Sequence, residues 1–414
     1  MYYRRQLEDV VKKVAKEYAA ITLYGARQTG KSTMVRNLFP DIEYVTLDSS
    51  RELSLAKRDP ELFLDAHGVP VIIDEIQKVP ELFEAIKIRI DNAKLQSVRS
   101  NTRNHVMYIL TGSNQHQIRE RATESLAGRT AIIEVNSLSF CEKTKSKGNA
   151  FVPDIDILRK KKSFVPRNRY EIFEEIFLGG MPEYYIRKMD RTIFFESYIS
   201  TYLEKDVSQL INIEKLADFR RFLTVTALRT GQQVDYTDIG RNVGIDSRTA
   251  KNWLSILQSS GIVTLLQPYA SNLAKRIVKT PKLYYMDTGL CAYLCGWSDP
   301  KILEASAMSG SFFETYVVSE MIKSLKNEGM RVEYTLYYYR DRDQKEVDIL
   351  YIKDQTIYPI EIKKGIGNEK ADKNFHILDQ YKMPIGKGLI IDTSDKLMPL
   401  NKDVYFCPVG MIGL

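Results

Sequence analysis

Residues 25–33 read Gly-Ala-Arg-Gln-Thr-Gly-Lys-Ser-Thr, and no other segment restricts the fold of this chain as much. Glycine, four residues, glycine, lysine and a hydroxyl residue come in order through Gly25, Gly30, Lys31 and Ser32. Before the loop, Ala20-Ile21-Thr22-Leu23-Tyr24 is a short apolar run of strand character; after it, Ser32 to Phe39 suits a helix. A glycine-rich turn between a strand and a helix points backbone N–H groups outward at the positive end of the helix, which favours an anion. In this reading Gly25, Ala26, Arg27, Gln28, Thr29, Gly30, Lys31, Ser32 and Thr33 form a phosphate cradle. Lys31 reaches the outer phosphates and Ser32 holds Mg²⁺. A chance glycine turn would give the same letters without the flanking strand and helix; here motif and context agree.

Two further segments complete a site. Val69-Pro70-Val71-Ile72-Ile73-Asp74-Glu75 is an apolar run ending in two carboxylates. Continuous apolar runs mark strands covered on both faces, as in a parallel sheet. At the C-terminal end of such a strand Asp74 supports Mg²⁺ through water, and Glu75 activates the attacking water. Val106-Met107-Tyr108-Ile109-Leu110-Thr111-Gly112-Ser113-Asn114 gives another strand, whose polar end places Ser113 or Asn114 to sense a γ-phosphate. The same residues also suit a plain turn closed by side-chain hydrogen bonds. In Ser125-Leu126-Ala127-Gly128-Arg129, the arginine is a candidate for charge on a γ-phosphate, in its own subunit or a neighbour's.

Together, Gly-Ala-Arg-Gln-Thr-Gly-Lys-Ser-Thr, Ile-Ile-Asp-Glu-Ile-Gln, Leu-Thr-Gly-Ser-Asn and Ser-Leu-Ala-Gly-Arg resemble the prokaryotic AAA-type P-loop ATPases. The resemblance is closest to a large group whose C-terminal half carries a Gly-Gly-x-Pro signature. This chain has Gly179-Gly180-Met181-Pro182, then Tyr198-Ile199 and Leu203-Glu204-Lys205-Asp206. The resemblance implies an α/β P-loop NTPase domain, ATP and Mg²⁺ as cofactors, and hydrolysis with Glu75, Lys31 and Arg129 in catalytic positions. It names no biological process.

The 414 residues suffice for more than one domain, and 44% hydrophobic with 27% charged content is that of a globular protein. No run of 18 apolar residues is present, and the opening Met-Tyr-Tyr-Arg-Arg lacks a signal-peptide core, so the sequence-based expectation is a cytoplasmic protein without a membrane segment. Four cysteines argue against a disulfide framework; Cys291 and Cys295, without a nearby histidine or second pair, read as packing residues. The net charge of +7 is mild, but residues 231–282 hold seven Lys or Arg against three acids. The polar stretch 141–170, with Arg159-Lys160-Lys161-Lys162, reads as a basic linker or exposed insertion.

Within the region 171–300, Val234 to about Asn242 suits a short helix, and Val243-Gly244-Ile245-Asp246 a turn. In the next helix Ala250, Trp253, Leu254 and Leu257 make one apolar face at i, i+3, i+4 and i+7. Arg248, Lys251 and Asn252 lie off that face, where a recognition helix meets DNA. Ile262–Leu266 and Lys282–Tyr285 suit a hairpin whose loop carries Lys275, Arg276 and Lys279. The pattern, about 231–290, is that of a winged helix. Such units bind DNA in some proteins and pack against protein in others.

The last segment, 305–414, holds a different constellation. Glu346–Ile352 and Thr356–Lys364 are strands joined by Lys353-Asp354-Gln355, Glu369–Tyr381 suits a helix, and Gly388–Ile391 a further strand. Glu361 and Lys363 share a strand face, Asp348 approaches from the partner strand, and Glu314 at the start of an upstream helix adds a fourth member. The order resembles the PD-(D/E)xK restriction-endonuclease-like fold. That resemblance implies two carboxylates gathering a divalent cation and a lysine stabilising developing charge. A solvated Glu-x-Lys pairing on an exposed strand is the plain alternative, and Val347 stands where the motif has proline. The sequence therefore describes three parts: an α/β ATPase at 1–140, a helical and winged-helix region, and a nuclease-like α/β domain. DNA is the preferred partner, with protein partners and oligomers the alternatives.

Overall fold

A computed structural model describes residues 2–100, 105–113, 115–161, 164–203, 216–270 and 280–414. The chain divides into two compact units, Met1–Leu138 with Ser259–Gly261, and Ser139–Gln258 with Ile262–Leu414. Asn114, Glu204, Lys205, Asp206, Lys275, Arg276 and Lys279, singled out in the sequence, lie outside the described residues.

The first unit runs α1 (Glu8–Val14), β1 (Ala20–Tyr24), α2 (Lys31–Leu38), β2 (Glu43–Thr46), α3 (Ser50–Arg58), α4 (Pro60–His67), β3 (Val71–Asp74), α5 (Glu81–Ser100), β4 (Tyr108–Gly112), α6 (Gln115–Ser125) and β5 (Thr130–Glu134). The five strands pair in parallel in the order β2-β3-β4-β1-β5. The apolar runs of β1, β3 and β4 are buried throughout because helices cover both faces of the sheet. Alternation then sorts their side chains. Tyr108 and Leu110 join Phe63, Phe83 and Ile86 on one face, while Ile109 joins Ile21, Leu23, Met34 and Val35 on the other. Parallel pairing brings the residue after each strand to one edge: Gly25 after β1, Glu75 after β3 and Ser113 after β4.

In the second unit, short helices precede Arg169–Leu178, Pro182–Arg187, Arg191–Tyr198 and Leu216–Ala227. Helices Tyr236–Val243 and Ser247–Ser259 lead to an antiparallel pair, β6 (Val263–Leu266) and β7 (Lys282–Tyr285). The long helix Ser309–Asn327 then leads into a six-stranded mixed sheet. Its strands are β8 (Leu336–Arg340), β9 (Glu346–Lys353), β10 (Thr356–Ile362), β11 (Gly388–Asp392), β12 (Met398–Pro399) and β13 (Val404–Pro408), in the order β12-β13-β11-β10-β9-β8. The β9–β10 hairpin is antiparallel, whereas β10–β11 and β11–β13 are parallel. Past β6, Pro268 bridges Tyr338, so the two-stranded pair is continuous with the edge of the larger sheet.

Two sequence-based expectations are corrected. The stretch 141–170 is not an exposed linker: Phe151, Ile155 and Leu158 are buried, Phe151 N–H donates to Ser324 Oγ at 3.2 Å, and Lys161 Nζ donates to the Met411 carbonyl at 3.1 Å. Its apolar residues cluster in 150–158, a run too short and too broken by Pro153, Asp154 and Asp156 to register as a periodic pattern, and only some of them enter the core: Ile157 and Val165 stay exposed. Of the helix expected over 369–381, only a 3₁₀ turn at Phe375–Gln380 forms. Asp372 and Asn374 sit where an α-helix would begin, and such side chains compete for the backbone. Asn374 instead donates to the Glu346 carbonyl at 2.8 Å.

The Gly-Gly-Met-Pro segment has a structural role. Gly179 closes its helix at φ 72°, and a Cβ there would stand 2.4 Å from Asp287 Oδ1. Asp287 accepts the Gly180 N–H at 2.8 Å through Oδ2 and caps the helix Thr288–Leu294 through Leu290 N–H at 2.9 Å. Pro182 then opens the next helix, where a missing N–H costs nothing.

Candidate nucleotide-binding site

The loop between β1 and α2 is folded tightly enough to admit only glycine at its start: a Cβ on Gly25 would meet the Val135 carbonyl at 2.1 Å. Gly30 precedes α2, an eight-residue helix whose free N–H groups face the loop. Lys31, almost fully buried, curls back so that Nζ donates to the carbonyls of Gly25 at 3.0 Å and Ala26 at 2.8 Å. Thr29 Oγ1 donates to the Ala26 carbonyl at 2.9 Å. Arg5, which the sequence reading missed, braces the loop by donating to the carbonyls of Thr29 at 2.8 Å and Asn136 at 2.6 Å.

At the end of β3, Asp74 is buried and surrounded by hydroxyl donors. Ser32 Oγ and Tyr44 OH donate to its Oδ2 at 2.8 and 2.6 Å, and Thr111 Oγ1 donates to Oδ1. Burial and the neighbouring Asp74 carboxylate push the Tyr44 phenol well above its ordinary pKa, so it remains a donor at neutral pH. Ser32 and Asp74 thus set a hydroxyl and a carboxylate side by side, an oxygen donor set that fits a small hard cation. Glu75 comes next in the left-handed region at φ 58°, which turns its carboxylate towards Gln77 Nε2 and Ser113 Oγ, the latter at 3.3 Å. Ser113 is therefore part of this cluster. Thr111 and Gln77 fall within the motifs quoted for the resemblance, where neither is given a role; nothing comparable marks Tyr44 or Arg5.

Arg129 does not belong to the site within one chain. It immediately precedes β5, and its carbonyl accepts from Ala20 N–H at the start of β1, the opposite end of the sheet from the loop. Its guanidinium grips Asp91 through two hydrogen bonds of 2.7 Å. Five strand residues at about 3.3 Å each separate the two ends.

In the second unit, Arg248, Lys251 and Asn252 are exposed together on the helix Ser247–Ser259, while Ala250, Trp253, Leu254 and Leu257 are buried. The residues proposed around the C-terminal sheet also converge. Asp348 Oδ2 accepts the Ile362 N–H at 2.8 Å, and Lys363 Nζ lies 2.6 Å from Glu361 Oε1 and 4.0 Å from Asp348 Oδ2. Burial, with the charges of Glu314 and Glu361 nearby, holds the Asp348 carboxyl well above the usual range. Glu314 stands close enough for its charge to act on Asp348, but its carboxylate is already engaged by two donors. It accepts from Lys282 Nζ at 2.9 Å and from Tyr284 OH at 2.6 Å. Among the described residues no three His, Cys, Asp or Glu side chains are arranged to hold a metal ion. Lys282 of β7 contacts Glu314 and Glu346 beside Asp348, and a resident ammonium among these carboxylates does not fit the divalent cation that the nuclease resemblance implied.

Residues 17–144 match the family model described as "AAA domain". The parallel-sheet unit with its glycine loop is thus similar to AAA-type P-loop domains. Residues 169–301 match "Domain of unknown function (DUF8612)" and residues 309–412 match "Domain of unknown function (DUF4143)". Two curated relatives, uncharacterized proteins Mb2031c of Mycobacterium bovis and Rv2008c of Mycobacterium tuberculosis, are each 26% identical over 87% of this chain and 74% of their own length. Among solved structures, the Walker-type ATPase PABY2304 of Pyrococcus abyssi is 15% identical, with a TM-score of 0.42 over 71% of this chain and 96% of that one. The ORC2 protein of Aeropyrum pernix, in ADPNP–ADP complexes, is 13% identical, with a TM-score of 0.34 over 74% and 96%. Among the described residues no helix is long and apolar enough to cross a membrane.

Proposed function

We propose that this protein binds and hydrolyses ATP with Mg²⁺ and passes its nucleotide state to a DNA-binding C-terminal unit. The observation that carries the reading is the Ser32–Asp74 contact of 2.8 Å at the mouth of the glycine loop, with Glu75 beside it. Lys31 leaves the Gly25 and Ala26 carbonyls for the outer phosphates, exchanging neutral acceptors for charged ones. Ser32 and Asp74 would hold Mg²⁺, whose charge would offset that developing on the phosphates. Glu75, aimed by Gln77 and Ser113, takes the proton of the attacking water.

DNA is the partner that fits the exposed group Arg248, Lys251 and Asn252 at the start of a helix whose opposite face is core. A second reading, a nucleotide switch acting on protein partners, is favoured by the lysine within the C-terminal carboxylates, which argues against cutting. ATP turnover with and without duplex DNA separates the two. The first reading expects stimulation by DNA that Arg248→Ala with Lys251→Ala removes, and near-complete loss of turnover in Glu75→Gln. It fails if DNA changes neither turnover nor gel mobility at low salt, where phosphate contacts are strongest.

A further inference from the structure

Four carboxylates meet beside the six-stranded sheet: Glu314 from the helix Ser309–Asn327, Glu346 and Asp348 from β9, and Glu361 from β10. Lys282 is the group that reaches in from outside that sheet. Its side chain is 4% exposed, and Nζ lies 2.9 Å from Glu314 Oε1 and 2.5 Å from Glu346 Oε1. Two residues on, and so on the same face of β7, Tyr284 donates to the same Glu314 oxygen at 2.6 Å. Glu346 is also met by Arg340, whose NH1 lies 3.4 Å from Oε2. Lys363 serves Glu361 and Asp348 on the far side.

We propose that Lys282 is the resident cation of this acidic pocket, standing where a divalent metal would have to bind and keeping one out. The buried ammonium contacts one oxygen of each of two carboxylates and lies 5.7 Å from the centre of the Tyr338 ring, so its charge is compensated where it stands. A divalent ion needs the same oxygens and would be repelled at close range by Lys282 and Lys363 together. The pocket is thereby a fastening between β7 and the C-terminal sheet, with Glu314 and Glu346 as its two anchors. This inference is independent of the ATPase reading.

The test is Mn²⁺ binding to the full-length, nucleotide-free protein, monitored by electron paramagnetic resonance. Asp74→Asn removes any ion held at the glycine loop, so the two sites are read separately. The wild type is expected to show no Mn²⁺ site that Asp348→Asn abolishes. Lys282→Met is expected to gain one such site, with Mn²⁺ bound at least tenfold more tightly, and to lose it again when combined with Asp348→Asn. An Asp348-dependent Mn²⁺ site in the wild type overturns the proposal, as does a folded Lys282→Met protein that gains none. If Lys282→Met does not fold, wild type and Asp348→Asn decide: an Asp348-dependent site refutes the proposal and its absence upholds it.

Discussion

Arg5 and Lys31 show how few side chains the nucleotide loop depends on. Lys31 is parked on the loop's own carbonyls and is released only by a better acceptor. Arg5 donates to two buried carbonyls, one of them within the loop. Leaving a buried carbonyl without a partner costs about 1–3 kcal/mol. Arg5→Ala is therefore expected to lower the urea-unfolding free energy of the first unit by about that amount and to weaken ATP binding severalfold. Unchanged stability and affinity would show that Arg5 is an idle contact. At this scale the sequence was legible where a motif fixes a role, as at Lys31, Ser32, Asp74 and Glu75. It was opaque where a role depends on where a chain segment returns in space. Arg129 shows the limit: its place one residue before a strand rather than after one sets it at the wrong end of a parallel sheet.

Between elements, α4 is tied to its neighbours through its last residue. The His67 ring lies between Glu43 of β2 and Glu52 of α3, with Nδ1 at 2.8 Å and Nε2 at 3.0 Å from their carboxylate oxygens. Burial alone would lower its pKa from the ordinary 6.5, but hydrogen bonds to Glu43 and Glu52 and their charges outweigh that and raise it. A pKa raised on folding adds stability that is fully present below the unfolded value and disappears as pH rises through the folded one. Stability of the wild type relative to His67→Gln is accordingly expected to fall as pH is raised from about 6 to about 9, in chemical denaturation at fixed salt. Parallel profiles for the two proteins would contradict this. Strands were the most legible elements, because unbroken apolar runs such as Val71–Ile73 and the hairpin around Asp354 announce themselves. The stretch 141–170 did not, since Phe151, Ile155 and Leu158 lie in a short run broken by Pro153, Asp154 and Asp156 and flanked by lysines, and their place follows only from where the segment returns in space.

For the molecule as a whole, the unit with the glycine loop precedes a second in which helices, the β6–β7 pair and the six-stranded sheet form one compact unit. The three-part reading of the sequence separated the last two because their motifs are distinct. The bridge from Pro268 to Tyr338 and the reach of Lys282 to Glu346 join them, and neither contact has a local sequence signature. The function proposed for the molecule depends on a nucleotide in the first unit. Titration calorimetry of ATP with Mg²⁺ into the full-length protein tests this most directly, with Lys31→Ala beside the wild type. One ATP bound per chain is expected, with affinity reduced at least tenfold, about 1.4 kcal/mol, in Lys31→Ala. Folded wild-type protein that takes up no ATP, or a Lys31→Ala variant that binds it equally well, would contradict the account.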